Sequence, residues 1–148
     1  MLYVSHDTGE TRRLAGEQAR ELIKLYGGRP LVIALEGELG AGKTTFVQAF
    51  TEVLGVKDKV KSPTFVLMKD YELTGVPGYR HLYHLDCYRL NEAKDLEPLG
   101  VKEILNTSGN IILIEWAERV KEILPAKRLV IHIDHITEHT RNITIKET

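Results

Sequence analysis

Cysteine, tryptophan and proline are scarce in this sequence, which has one, one and five of them among 148 residues. The lone cysteine, Cys87, excludes a disulfide framework and a thiolate metal cluster. The net charge of −1 gives no sign of a chain that binds nucleic acid over its whole surface, although a local basic patch remains compatible with it.

Long apolar runs are also lacking. None approaches the roughly 20 residues of a membrane-spanning helix, and the first residues lack the pattern of a signal peptide. We therefore expect a soluble, cytoplasmic protein that does not enter a membrane. A length of 148 residues suffices for one α/β core, so we expect residues 1–148 to form a single domain.

The most informative stretch that is present runs from Leu31 to Phe46 and reads LVIALEGELGAGKTTF. An apolar strand leads into GELGAGKT, which fits the phosphate-binding P-loop pattern GxxxxGK(S/T), and a helical pattern follows. Glycines let backbone N–H groups converge on one anion, Lys43 can reach the β- and γ-phosphates, and the Thr44 hydroxyl suits Mg²⁺. The competing dinucleotide fingerprint needs a different glycine spacing. The predicted nucleotide site comprises Gly37, Glu38, Leu39, Gly40, Ala41, Gly42, Lys43, Thr44 and Thr45.

The surrounding pattern predicts alternating helices and strands. An amphipathic helix follows the capping-box spacing of Asp7 and Glu10. Residues 31–35 are continuously apolar, as in a strand covered on both faces of a parallel sheet. Near the end, Leu129 to Ile136 alternates like a half-exposed strand, and Arg141 to Lys146 predicts a last strand that pairs antiparallel at an edge.

Two segments rich in β-branched and aromatic residues, Phe65 to Leu73 and Tyr79 to Leu90, flank a glycine- and proline-containing turn and predict an antiparallel hairpin. Side chains alternate along a strand, so His84, Asp86 and Tyr88 are expected to share one face. Two interpretations of this polar row fit the sequence: a solvent-exposed face, or a functional row.

A second fully apolar strand, Ile111 to Ile114, ends in Glu115. An acid in that place is typical of a Walker B element, which lies beside the phosphates; the alternative is a glutamate in solvent. Trp116 follows and fits the core, a loop cover or a partner contact. Ser62, Pro63 and Thr64 lie in a stretch that reads either as a simple connection or as a switch segment that senses the γ-phosphate.

The order of these motifs along the chain is informative. The P-loop is followed by SPTF (Ser62, Pro63, Thr64, Phe65), by HLDCYR (His84 to Arg89) and by IEW (Ile114 to Trp116). The chain thereby resembles, over nearly its whole length, the TsaE (YjeE) family of bacterial ATPases of tRNA threonylcarbamoyladenosine biosynthesis. The P-loop is shared by many nucleoside triphosphatases, whereas the later motifs are more specific, and no departure occurs within them.

The resemblance implies a P-loop NTPase-like three-layer α/β fold whose mostly parallel central sheet is extended by antiparallel strands. It implies ATP and Mg²⁺ as cofactors, with Thr44 and Glu115 on the metal and Asp86 beside the attacking water. Lys43, Asp86 and Glu115 would be catalytic, residues 62–65 the switch loop, and Thr8 an adenine-side contact. The remaining motif residues are His84, Tyr88, Arg89 and Trp116.

The resemblance also implies partners. Hydrolysis would be weak in the isolated chain and would support a complex with a TsaD-like threonylcarbamoyl-transferase subunit and its non-catalytic, TsaB-like paralogue, which brings the chain to tRNA indirectly. A P-loop small-molecule kinase is the alternative, although no arginine-bearing lid is evident. A GTP-binding switch lacks support because no NKxD motif occurs, and a non-hydrolysing scaffold stays open.

Overall fold

The computed structural model describes residues 1–37, 42–57 and 68–148. The predicted P-loop residues Glu38, Leu39, Gly40 and Ala41, and the predicted switch loop Ser62, Pro63, Thr64 and Phe65, lie outside the described residues. The predictions for those positions therefore stay predictions.

The described part of the chain contains the helices and strands that the sequence analysis predicts there. In chain order they are β1 (Leu2–Ser5), α1 (Thr8–Tyr26), β2 (Leu31–Glu36), α2 (Lys43–Val53), β3 (Met68–Glu72), β4 (His81–Asp86), a 3₁₀ helix (Ala93–Leu99), α3 (Val101–Leu105), β5 (Asn110–Glu115), a second 3₁₀ helix (Ala117–Ile123), β6 (Leu129–His135) and β7 (Arg141–Glu147). Among the described residues, no helix is long and apolar enough to cross a membrane.

The strands form one sheet in the order β1-β7-β6-β2-β5-β4-β3. The four central strands β6, β2, β5 and β4 pair in parallel, and antiparallel pairs extend the sheet on both sides. The predicted fold class is confirmed. The predicted edge position of the last strand is wrong, because β1 pairs with the outer side of β7 and itself forms that edge.

Two apolar clusters cover the two faces of the sheet and make the fold three-layered. Alternate residues of β2 point to opposite sides, so that Leu31, Ile33 and Leu35 pack under α1 and α2. Val32 and Ala34 pack on the other face, against the two 3₁₀ helices and α3. All five of these β2 residues are buried, which is why this segment reads as a continuous apolar run.

Local signals fix the ends of α1. The Asp7 side chain accepts a hydrogen bond from the Glu10 backbone N–H at 2.8 Å, as the predicted cap requires. The Glu10 carboxylate, however, accepts from the backbone N–H of His6, one residue before the cap, so the reciprocal half of the capping box is not formed there. At the other end, Gly27 adopts a left-handed conformation with φ of 57° and closes the helix.

The predicted hairpin is confirmed, and its second strand is shorter than predicted. β3 and β4 pair antiparallel, with Tyr71 opposite Leu82. The second strand ends at Asp86 and not at Leu90, because residues 88–89 form a turn. The predicted placement of Tyr88 on the same strand face as His84 and Asp86 is therefore wrong.

Candidate functional site

Lys43 is the first residue of α2, at the edge of the sheet where the parallel strands end. Its side chain is folded inward and the residue is only 5% exposed. The ammonium group donates a hydrogen bond to the Gly37 carbonyl oxygen at 2.6 Å and lies 4.0 Å from the ring centroid of Trp116. The cation therefore occupies a defined position between the end of β2 and the residue that follows β5.

Burial and nearby carboxylates act on Lys43 in opposite directions. Desolvation lowers the pKa of the ammonium group, while the charges of Glu115, Glu118 and Asp86 raise it, and the net pKa is lowered. An additional anion would stabilise the charged form of Lys43, because its attraction to the ammonium group offsets the solvation that is lost on burial. The electrostatics thus suit an anionic ligand at this edge.

The two described glycines at the ends of the P-loop have the backbone conformations that the motif predicts. Gly37 has φ of 133° and Gly42 has φ of 104°, both in the region that side chains disfavour. Gly37 has a second reason to lack a side chain, since a Cβ there would come within 2.3 Å of the Ile133 carbonyl oxygen on β6. This glycine lets the loop leave β2 close to its neighbouring strand.

Glu115 and Asp86 end the neighbouring parallel strands β5 and β4 and lie opposite each other in the register. Glu115 is 4% exposed, so the alternative interpretation of a glutamate in solvent is wrong. Its burial is compensated by His84, whose Nε2 lies 2.6 Å from Glu115 Oε2. His84 is 1% exposed, which excludes the solvent-exposed interpretation for that residue.

Asp86 organises the turn after β4. Its Oδ1 accepts a hydrogen bond from the Tyr88 backbone N–H at 3.0 Å, a side-chain-capped turn that ends the strand. Asp86 itself is partly exposed. One carboxylate oxygen is thereby fixed, and the charged group remains at the sheet edge.

An aromatic pair and an arginine cover this edge. The rings of Tyr88 and Trp116 lie 5.1 Å apart, and the Arg119 guanidinium carbon lies 5.6 and 5.7 Å from their two centroids. Arg119 also donates to the Leu90 carbonyl oxygen at 3.3 Å. Trp116 has φ of 58°, the one positive φ outside glycine in the described part of the chain. Arg89 is exposed in the same turn as Tyr88.

The start of α2 also faces the first helix. Thr44 is exposed, whereas Thr45 and Gly42 line a small cavity of about 60 Å³ together with Thr8 and Arg141. The position of Thr8 next to α2 is compatible with its predicted role but leaves the role a prediction. Sequence reasoning missed Arg141, because nothing local signals that β7 returns beside a loop about a hundred residues earlier.

Glu118 is the second residue that sequence reasoning missed. It lies in the 3₁₀ helix that follows Trp116, and its charge acts on both Lys43 and Cys87. Its Oε2 is buried and has no hydrogen-bond partner among the described residues. The available signal in the sequence was that Glu118 follows Glu115, the Walker B-like acid, by three residues.

The oxygen groups at this edge fit Mg²⁺ better than a softer metal. Among the described residues, no group of three or more histidine, cysteine, aspartate or glutamate side chains forms a self-contained metal site. Mg²⁺ typically binds one or two carboxylates and completes its shell with water and substrate phosphates. The Thr44 hydroxyl and the Glu115 and Asp86 carboxylates supply donors of that kind.

A larger cavity of about 520 Å³ lies elsewhere, between α1, the end of α2 and the turn of the hairpin. It is lined by residues such as Ile23, Leu54 and Val76 and contains none of the predicted site residues. Its size alone does not make it the functional site, because the ionisable groups that act on one another gather at the edge described above.

Comparison with known proteins places these residues in context. The family model described as threonylcarbamoyl adenosine biosynthesis protein TsaE matches residues 5–143. Over 133 residues the chain is 36% identical to the tRNA threonylcarbamoyladenosine biosynthesis protein TsaE of Haemophilus influenzae, an alignment that covers 90% of this chain and 80% of that protein. Over 113 residues it is 43% identical to the Bacillus subtilis protein of the same name, covering 76% and 67%.

A solved structure agrees with the fold. The crystal structure of YdiB from Bacillus subtilis superposes with a TM-score of 0.72 at 32% identity, and the match covers 98% of this chain and 83% of that one.

Proposed function

Because the chain belongs to the TsaE family of threonylcarbamoyl adenosine biosynthesis proteins, we propose that it binds ATP with Mg²⁺ and hydrolyses it slowly in support of tRNA threonylcarbamoyladenosine modification. It would act in the cytoplasm with a TsaD-like transferase subunit and its TsaB-like paralogue, and reach tRNA through them. The family role in this modification is established by the similarity; the nucleotide, the metal and the partners are the proposal.

The observation that carries the proposal is the meeting of three charged residues at the start of α2. Lys43 lies next to the end of β2, and Asp86 and Glu115 end the two strands beyond it. A lysine beside two carboxylates is the arrangement that phosphoryl transfer to water requires, with the lysine on phosphate oxygens and the acids towards metal and water. Bound Mg²⁺ would neutralise charge that develops on the transferred phosphoryl group.

Each residue has a task that its position supports. The Lys43 ammonium group, now on the Gly37 carbonyl, would exchange that acceptor for phosphate oxygens. Glu115 would hold Mg²⁺ directly or through water, together with the Thr44 hydroxyl. Asp86, whose Oδ1 accepts a hydrogen bond from the Tyr88 N–H, would orient the attacking water with its carboxylate group.

Slow hydrolysis by the isolated chain fits the position of Arg119. An arginine that reaches the phosphates typically contributes about 10³–10⁵ in rate, but the Arg119 guanidinium is engaged with two rings and the Leu90 carbonyl. A partner subunit that supplies an arginine or frees this one would couple hydrolysis to the complex.

The test is calorimetric titration of a non-hydrolysable ATP analogue with Mg²⁺ into the purified chain. Lys43→Ala should weaken binding by roughly 10- to 100-fold, the equivalent of a lost hydrogen bond from a charged donor. Lys24→Ala, on the exposed face of α1, is the matched control and should bind normally. Absence of binding in the wild-type protein would refute the proposal. Release of inorganic phosphate with both partners present, and not a phosphorylated small molecule, separates the ATPase from the kinase.

A further inference from the structure

His84 is a buried polar residue that the mechanism above does not use. It lies on β4, opposite Leu113 of β5, and faces the same side of the sheet as Leu82. A histidine at 1% exposure in the middle of a sheet loses its hydration and needs a hydrogen-bond partner. An aliphatic residue would fill this space without that cost, so the imidazole requires an explanation.

The partner is the acid at the end of the next strand. His84 Nε2 lies 2.6 Å from Glu115 Oε2, and the side chains of both residues are almost completely buried, at 1% and 5% exposure. The other ring nitrogen, Nδ1, is buried and has no partner among the described residues. A proton on Nδ1 would be left without an acceptor. The hydrogen is therefore placed on Nε2, where it is donated to the carboxylate.

This hydrogen bond divides the two oxygens of Glu115. Oε2 is occupied by the histidine, which leaves Oε1 as the oxygen that can serve a ligand. A free glutamate side chain costs on the order of 1.5–2 kcal/mol of rotamer entropy to immobilise. Here the side chain loses that entropy during folding, so the carboxylate is already oriented when a ligand binds. Histidine–carboxylate contacts behind a metal ligand are a common way to achieve this.

We infer that His84 is a positioning residue: its Nε2–H holds Oε2 of Glu115, so that Oε1 is presented to Mg²⁺ or a Mg²⁺-bound water at the nucleotide site. The inference rests on the proposed function, since it assigns a task to the metal-binding acid. It differs from a purely structural role in one respect. A structural histidine supports the fold equally with and without metal, whereas a positioning histidine matters when the metal binds.

The experiment compares ADP binding by calorimetry in the presence of Mg²⁺ and in the presence of EDTA. We expect His84→Leu to lose about 10-fold or more of the gain in ADP affinity that Mg²⁺ provides, the usual consequence of removing a contact behind a metal ligand. Its metal-free ADP affinity should match that of the wild type. His84→Gln, whose carboxamide can still reach Glu115 with an N–H, should keep most of the gain.

His81 provides the matched control on the same strand. It is half-exposed and lies 3.5 Å from Asp70 of β3, away from Glu115. His81→Leu should keep both ADP affinities. The inference is overturned if the ADP affinity of His84→Leu rises with Mg²⁺ as much as that of the wild type. It is also overturned if His84→Leu weakens ADP binding by the same factor with and without Mg²⁺.

A second pair of variants decides the matter if His84→Leu does not fold, as judged by circular dichroism. His84→Gln should then keep the gain from Mg²⁺ while His84→Asn, whose shorter side chain cannot reach the carboxylate, should lose it. Equal values for these two variants would overturn the inference. If the wild type binds neither ADP nor the non-hydrolysable ATP analogue, the proposed function fails instead.

Discussion

At the residue scale, the site is built from ionisable groups that are buried and held by one another. Lys43, His84 and Glu115 are all less than 6% exposed, and each makes a short polar contact. Each would be unfavourable in isolation, because burial of an unpaired charge or of an unpaired polar group costs free energy. Of the two carboxylates predicted to be catalytic, Asp86 is therefore more accessible to solvent than Glu115.

Asp86→Asn tests the water-orienting role. The amide oxygen introduced by this substitution can still accept the Tyr88 N–H, so the turn that Asp86 caps should persist. We expect retained nucleotide affinity and single-turnover hydrolysis, measured with both partner subunits, that falls by roughly 10²–10⁴.

Asp70→Asn on β3 is the control for loss of one aspartate charge, because Asp70 is exposed and lies near His81. It should hydrolyse at the parental rate. If Asp86→Asn also does so, Asp86 only caps the turn.

At the scale of elements, the sheet edge that carries Lys43 depends on how closely β2 approaches β6. A Cβ at Gly37 would come within 2.3 Å of the Ile133 carbonyl oxygen, so no other residue type fits there without moving a strand. The first glycine of the P-loop is thus required by packing as well as by the turn.

Gly37→Ala should therefore destabilise the whole protein. A 2.3 Å approach to backbone oxygen and an unfavourable φ together predict a loss of about 2–4 kcal/mol. That corresponds to a Tm lower by roughly 5–15 °C for a chain of this size, measured by thermal denaturation.

Gly55→Ala is the comparison, since it also has a positive φ of 81° but its Cβ would meet nothing within 4 Å. It should cost about 1 kcal/mol. Equal losses for the two variants would show that φ alone, and not the contact with Ile133, restricts residue 37.

At the scale of the whole molecule, the sequence predicted the elements and the fold class but not all of the neighbour relations. Helix and strand periods are local, so α1, β2 and β5 could be located from apolar spacing alone. The place of β7 inside the sheet depends on β1, at the far end of the chain, and was missed.

The same limit applies to the site. The P-loop glycines, Lys43 and the strand-ending Glu115 could be predicted as candidate site residues because a local motif constrains them. The burial of His84 and Glu115 could not be predicted from the sequence. A polar residue in a strand is expected to be exposed unless its hydrogen-bond partner is known, and these two partners lie 31 positions apart. The end of β4 was missed because the Asp86 side chain, and not a glycine or proline, terminates it.

Cys87 provides a measure of global stability. It is fully buried, and burial raises the pKa of its thiol to about 12. At pH 8 about one molecule in 10⁴ would carry the reactive thiolate. We expect no fast reaction of the native protein with Ellman's reagent, and one thiol per chain after unfolding in guanidinium chloride. Rapid stoichiometric labelling of the native protein would contradict this.

The ends of β2, β4 and β5 meet at one edge although they lie far apart in the sequence. A ligand that contacts all three can bind only when the strands are assembled, so binding and folding are linked. At a ligand concentration 100 times Kd, this linkage adds about 2.7 kcal/mol to the free energy of unfolding. In a cell, where proteases remove unfolded chains, the lifetime of this protein would then depend on the supply of that ligand.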